Sequence, residues 1–122
     1  MAGGDKRKHP RFPIAVPVTL LLSDQPQPIG ADLVNLSQGG CFFATAAPLK
    51  PGWTAITFFM ARTGLCAATG TITRDENGLG FAVEFANVND ALRGFLQQLD
   101  AVDDDARAEL IGTVAGAQIK VG

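Results

Sequence analysis

The sequence of 122 residues contains few of the side chains on which enzymes and metal proteins depend. It has two cysteines, one histidine, one tryptophan and no tyrosine. Two cysteines exclude a dense disulfide framework, and no Cys/His spacing is typical of a zinc site. Cys41 and Cys66 lie in apolar segments, and the only imidazole, His9, has no carboxylate positioned beside it. We therefore expect no enzyme, no catalytic residue and no metal.

Long hydrophobic runs are also missing. No segment offers the ~20 consecutive apolar residues that a membrane-spanning helix needs. The basic start followed by the apolar segment 14–22 resembles a secretory signal, but Pro13 and Pro17 break the helix that such a signal forms. No small-residue cleavage site follows Leu22. We expect a soluble, cytoplasmic protein that does not insert into a membrane.

The net charge of −2 hides two ends of opposite sign. Four basic residues against one acidic residue give +3 over residues 1–11. Five acidic residues against one arginine give −4 over residues 100–110. Such asymmetry suggests a partner for each end without naming it.

The sequence does contain a clear pattern of short strands. Apolar residues make up 47% and glycine occurs 14 times, as in a single globular domain. Apolar residues alternate from Ile14 to Leu22, which predicts a strand with an edge or a bulge near Pro13 and Pro17. Five further strands are predicted at Ile29–Leu36, Cys41–Thr45, Trp53–Ala61, Leu65–Arg74 and Phe81–Ala86, with a tight turn at Asp75–Gly78 before the last. Six short strands without an intervening helix predict an all-β domain, an antiparallel barrel or sandwich.

The period changes to that of a helix after Asn87. Apolar residues then recur at helical spacing from Val88 to Val102, with Asn89 or Asp90 available as the N-cap. A second short helix is predicted to begin at Asp103–Asp105, and the segment 112–122 is open between a last strand and disorder. The predicted organisation is a flexible basic arm over 1–11, a barrel with its C-terminal amphipathic helix over 12–102 and an acidic extension over 103–122.

Two short motifs carry the functional information. The first is an R-x-x-x-R pair, Arg7 and Arg11, and the second is N-x-S-x-x-G, Asn35-Leu36-Ser37-Gln38-Gly39-Gly40, between two predicted strands. Together they resemble the motifs of the PilZ domain family of bacterial cyclic di-GMP receptors. The resemblance continues through Gly70–Arg74 and Gly80–Phe85 into the helix. It implies a six-stranded antiparallel β-barrel with a C-terminal helix.

The resemblance also implies a ligand and the residues that bind it. The implied cyclic di-GMP-binding residues are Arg7, Arg11, Asn35, Ser37, Gly39 and Gly40, with Lys6, Lys8 and His9 as auxiliaries. Arginine suits this ligand because its planar fork binds guanine O6 and N7 or a phosphate, and stacks on a base. The nucleotide is a regulatory ligand, not a cofactor. Its binding is expected to order the arm against the barrel and to change the surface presented to a protein partner.

Simpler interpretations stay open. A solvated chain end is the simpler alternative for the basic arm, and a plain turn whose Asn and Ser bond to the backbone is the simpler alternative for the second motif. A PilZ-like interaction module that binds no nucleotide is the main alternative function. A barrel that binds single-stranded DNA or RNA is disfavoured by the isoelectric point of about 5.2.

Overall fold

The computed structural model describes residues 10–74 and 80–122, and within them the chain forms seven strands and two helices. The elements in chain order are β1 (Phe12–Leu22), β2 (Ile29–Leu36), β3 (Gly40–Ala44), β4 (Thr54–Ala61), β5 (Gly64–Arg74), β6 (Gly80–Val88), α1 (Asp90–Ala101), α2 (Asp104–Gly112) and β7 (Ala115–Val121). The six predicted strands are confirmed, with ends displaced by at most two residues. The predicted turn at Asp75–Gly78 lies outside the described residues.

The strands close into a barrel in the order β1-β2-β3-β6-β5-β4-β7. The predicted barrel is therefore confirmed, with seven strands rather than six. The seventh strand, β7, lies antiparallel to β4 and parallel to β1, where Leu20 pairs with Ile119. Its alternating residues Ala117, Ile119 and Val121 are buried. By pairing with both strands, β7 covers edges that β1 and β4 would otherwise leave open.

The first strand shows how the alternating pattern builds the core. Phe12, Ile14, Val18 and Leu20 are buried on the inner face, as the period of two predicts. The register with β2 shifts between Pro13 and Val16, so the bulge predicted near the prolines is confirmed. Pairing with β7 begins only at Thr19, so the first part of β1 pairs with β2 but not with β7.

Helix α1 packs its apolar face against the barrel. Its N-cap is Asn89, whose side chain accepts a hydrogen bond from the Leu92 N–H at 2.9 Å. The Phe95 ring meets the Phe59 ring of β4 edge-on, with centroids 5.7 Å apart. The predicted second helix is also confirmed, and Asp103 caps it. Neither of these helices, nor any other helix among the described residues, has the length and apolar character to cross a membrane.

Candidate ligand-binding site

The pairing of β1 with β2 brings the two sequence motifs to the same end of the barrel. Phe12 lies opposite Leu36 and Pro13 lies opposite Asn35. Because the strands are antiparallel, the chain before Phe12 and the chain after Leu36 leave this pair side by side. Arg11, which is exposed, immediately precedes the pair, and the turn that starts at Ser37 immediately follows it. The other basic candidates, Lys6, Arg7, Lys8 and His9, lie outside the described residues.

A bulge at Val34 sets the position of Asn35. The register of β2 against β3 shifts between Leu33 and Asn35, so Val34 is an extra residue in the ladder. Leu33 and Leu36 are both fully buried although they are three residues apart. Strict alternation would place Asn35 on the buried face with Leu33, whereas with the bulge it is half-buried. The sequence alone does not predict this bulge, because it depends on the partner strands.

The turn of the second motif is held by Ser37. Its N–H donates to the Gly40 carbonyl at 2.8 Å, and its Oγ accepts from the Gly39 N–H at 3.1 Å. The same hydroxyl donates to the Gly40 carbonyl at 3.3 Å. Ser37 is only 7% exposed. The local bonding of a plain turn is therefore present at Ser37, and its hydroxyl shapes the loop beside Arg11.

The same turn is fixed to β6. The Phe85 N–H donates to the Gly39 carbonyl at 2.9 Å. A Cβ at Gly40 would lie 2.2 Å from the Val83 carbonyl oxygen, closer than any side chain can approach a backbone atom. Gly40 is thus required by close contact with the protein's own backbone.

The geometry at the end of β1 and β2 agrees with the sequence comparison. The model of the PilZ domain family matches residues 5–100, which is most of the chain and includes both motifs. The chain belongs to the PilZ domain family. This confirms the resemblance drawn from the motifs. Comparisons with curated proteins and with solved structures gave no significant match.

A shallow groove opens beside the motifs of the PilZ domain. It lies between the start of β1, the motif turn and the last turns of α1. The residues that line it are Pro10, Phe12, Gln38, Leu96, Gln97 and Asp100. Since Pro10 and Gln38 border the same groove, the ends of the two motifs stay together beyond the last pair of the ladder.

One residue near this site escaped the sequence analysis. Arg107 of α2 lies outside the segment matched by the PilZ family, and the Cζ atom of its guanidinium is 5.4 Å from the centroid of the Phe12 ring. In the sequence it is the one basic residue of an acidic stretch, a pattern typical of a solvated helix face. Its contact with Phe12 depends on how α2 folds back on α1, which no local pattern reports.

The two thiols of the PilZ domain are poorly suited to act as nucleophiles or metal ligands. Cys41 and Cys66 are free and buried. Burial raises the pKa of the Cys41 thiol to about 12 and also raises the pKa of Cys66. A thiol with a raised pKa carries little thiolate near neutral pH and is a poor nucleophile and metal ligand. Across the described ranges, no cluster of three or more His, Cys, Asp or Glu is placed to hold a metal ion.

Proposed function

We propose that this protein is a receptor for cyclic di-GMP that acts without catalysis. The observation that carries the proposal is the junction of the two PilZ motifs: β1–β2 pairing sets the end of R-x-x-x-R beside the start of N-x-S-x-x-G. PilZ domains are binding modules, and the family generally binds this nucleotide. The ligand has two anionic phosphates and two guanines, so a site for it needs cations and groups that read a base edge.

The cations of the proposed site are Arg7 and Arg11. Arg11 is exposed and adjoins the motif turn, where its guanidinium is free to reach a ligand lying on the barrel. A planar guanidinium can bind guanine O6 and N7 together, pair with a phosphate or stack on a base. Lys6, Lys8 and His9 are auxiliary in this proposal, as neighbours in the same basic segment.

The second motif supplies the base-reading group and the shape of the site. The half-buried amide of Asn35 offers an acceptor and a donor to a guanine edge. The Ser37 hydroxyl already bonds within the turn, so its main role in the proposal is to hold the loop in shape. Gly39 and Gly40 keep that loop close to β6 and free of side chains that would cover the ligand.

The proposed output is a change of surface. The ligand fixes the arm of residues 1–11 against the barrel, and its two phosphates offset most of the +3 charge there, so that a protein partner meets a different surface in the bacterial cytoplasm. The fixed residues each lose conformational entropy worth about 1–2 kcal/mol, and the charge-assisted contacts to the phosphates offset it.

A second candidate is a PilZ interaction module that binds no nucleotide. The observation that favours it is a pair of exposed apolar side chains on the outer side of the β4–β5 hairpin. Met60 and Leu65 lie opposite each other there and are 49% and 54% exposed. This pair suits a protein partner with or without nucleotide.

Titration calorimetry with cyclic di-GMP separates the two candidates. We expect saturable heat for the wild type and an affinity lower by about 10- to 100-fold for Arg7→Ala and for Arg11→Ala, because each removes a charge-assisted contact. Arg62→Ala is the matched control, since Arg62 is exposed in the turn between β4 and β5, near the opposite end of α1. Absence of heat and of NMR shifts at high ligand concentration contradicts the proposed receptor function. The interaction module that binds no nucleotide is then the remaining candidate.

A further inference from the structure

The C-terminal end of α1 lacks a cation of its own. The last turn of α1 contains no basic residue, although the carbonyls there carry partial negative charge and have no partners within the helix. Arg107 of α2 supplies this cation. Its Nε donates to the Leu99 carbonyl at 2.8 Å, and one Nη donates to the Val102 carbonyl at 3.0 Å.

The third nitrogen of the Arg107 guanidinium is also paired. The other Nη pairs with the Asp104 carboxylate at 3.0 Å. Three acceptors therefore fix the plane of the guanidinium, which leaves its Cζ atom 5.4 Å from the centroid of the Phe12 ring. The side chain of Arg107 is only 27% exposed, and Phe12 is 6% exposed. A cation over an aromatic ring is attracted more strongly when both groups are withdrawn from water.

Phe12 is also the first residue of β1 and follows Arg11 directly. Its ring is buried, whereas Arg11 is exposed, as neighbours on a strand face opposite sides. Fixing the Phe12 ring therefore fixes the direction in which Arg11 leaves the barrel. We propose that Arg107 is a positioning residue that holds Phe12 and thereby orients Arg11, the last residue of the R-x-x-x-R motif. Its effect on ligand affinity rests on the proposed function, but its effect on Phe12 does not.

The chain provides a matched control in Arg93. Arg93 also pairs with an aspartate three residues before it, Asp90, at 2.7 Å, and its Nη donates to the Val88 carbonyl at 3.3 Å. It therefore repeats the ion pair and a carbonyl contact of Arg107 at the other end of α1, away from Phe12. Arg107→Met and Arg93→Met remove the same charge and keep similar aliphatic bulk.

The direct test measures motion of the Phe12 amide in the ligand-free full-length protein by ¹⁵N relaxation. We expect an order parameter near 0.85 in the wild type and in Arg93→Met, and below about 0.6 in Arg107→Met. Arg107→Lys keeps the cation but loses the planar fork, so an intermediate value is expected. If Arg107→Met unfolds, Phe12→Leu leaves the bonds of Arg107 to both helices in place, and we expect the same fall at position 12. An unchanged order parameter in every folded variant overturns the proposal.

The second test measures cyclic di-GMP affinity for the same variants. We expect Arg107→Met and Phe12→Leu each to weaken binding about tenfold, and the double variant to be no worse than either single one, because both remove the same contact. Equal affinity in all variants overturns the role in ligand binding. If the wild type binds no cyclic di-GMP while the order parameter still falls in Arg107→Met, the proposed function is wrong and the positioning of Phe12 stands.

Discussion

Pro13 in β1 lies directly opposite Asn35 in β2, and this single pair joins the two motifs. Two residues before Pro13 is Arg11, and two residues after Asn35 is Ser37. Antiparallel pairing makes these two directions coincide, so the first motif ends and the second begins at the same end of the ladder. The site is therefore defined by strand register, and anything that shifts the register separates its halves.

Substitutions at Asn35 test the base-reading part of the site. Asn35→Ala is expected to weaken cyclic di-GMP binding about tenfold, since it removes one or two hydrogen bonds. Asn35→Asp, which keeps an acceptor at the same position, is expected to stay within about threefold of the wild type. Calorimetry measures both, and a chemical denaturation curve for each variant checks that the fold is intact. Equal affinity for Asn35→Ala and the wild type removes Asn35 from the site.

Gly40 tests whether the turn depends on close contact with β6. A Cβ there would lie 2.2 Å from the Val83 carbonyl oxygen, so Gly40→Ala is expected to lower the free energy of unfolding by about 1–3 kcal/mol. Gly30→Ala is the control, because the new Cβ in β2 has no atom within 4 Å. We expect its effect to stay within about 0.5 kcal/mol. Urea denaturation measures both variants, and equal effects contradict the proposed reason.

The elements that could be predicted from sequence are those set by local pattern. The alternation from Ile14 to Leu22 defined β1, because successive side chains of a strand face opposite sides. The apolar spacing after Asn87 defined α1, whose Leu92, Phe95 and Leu99 are buried as the period of 3.6 requires. The resemblance to the PilZ family assigned Arg11 and Asn35 to one binding site, which stays a prediction, and the β1–β2 register places the junction of the two strands between them.

What could not be predicted depends on contacts between distant segments. The short alternation of Ala117, Ile119 and Val121 is compatible with a strand or a tail, and only the open edges of β1 and β4 decide between them. The contact of Arg107 with Phe12 joins residues far apart in the sequence. The pairing of β7 depends on how the barrel closes, and the contact of Arg107 with Phe12 depends on how α2 packs. Neither can be predicted from the residues that adjoin each segment in the sequence.

The two helix caps differ in what they hold, which yields a further prediction. The Asn89 side chain accepts from Leu92 N–H at 2.9 Å and Ala67 N–H at 3.1 Å, and donates to the Leu65 carbonyl at 2.8 Å. The Asp103 side chain accepts from the Ala106 N–H at 2.9 Å. We expect Asn89→Ala to cost about 2–3 kcal/mol of unfolding free energy and Asp103→Ala about 1 kcal/mol. Denaturation curves measure the difference, and the reverse order contradicts it.

The hydroxyl of Thr57 is buried in the core without a hydrogen-bond partner among the described residues. Thr57 is 2% exposed. Its polar neighbour is the thiol of Cys41, and a thiol is a weak hydrogen-bonding group. Thr57→Val replaces the hydroxyl by a methyl of similar shape and is expected to raise the unfolding free energy by about 1 kcal/mol. Thr69→Val, at an exposed position of β5, is the control, and no gain at Thr57 relative to it contradicts the prediction.

The buried thiol of Cys41 should make stability depend on pH in the alkaline range. Burial raises its pKa from 9.0 to about 12, so between these values the thiol ionises in the unfolded chain and stays protonated in the folded one. Ionisation then favours the unfolded chain, and the stabilisation that is complete below pH 9 is lost as the pH rises towards 12.

The comparison of the wild type with Cys41→Ala isolates this contribution. At pH 10, one unit above the unfolded pKa of the thiol, we expect the wild type to have lost about 1 kcal/mol more than the variant, relative to pH 7. All other ionisable groups are the same in both proteins, so their effects cancel in the difference. Urea denaturation at pH 7, 9 and 10 measures it. Parallel curves for the two proteins mean that the folded thiol titrates near its ordinary pKa, and that the interior of the barrel at β3 is open to water.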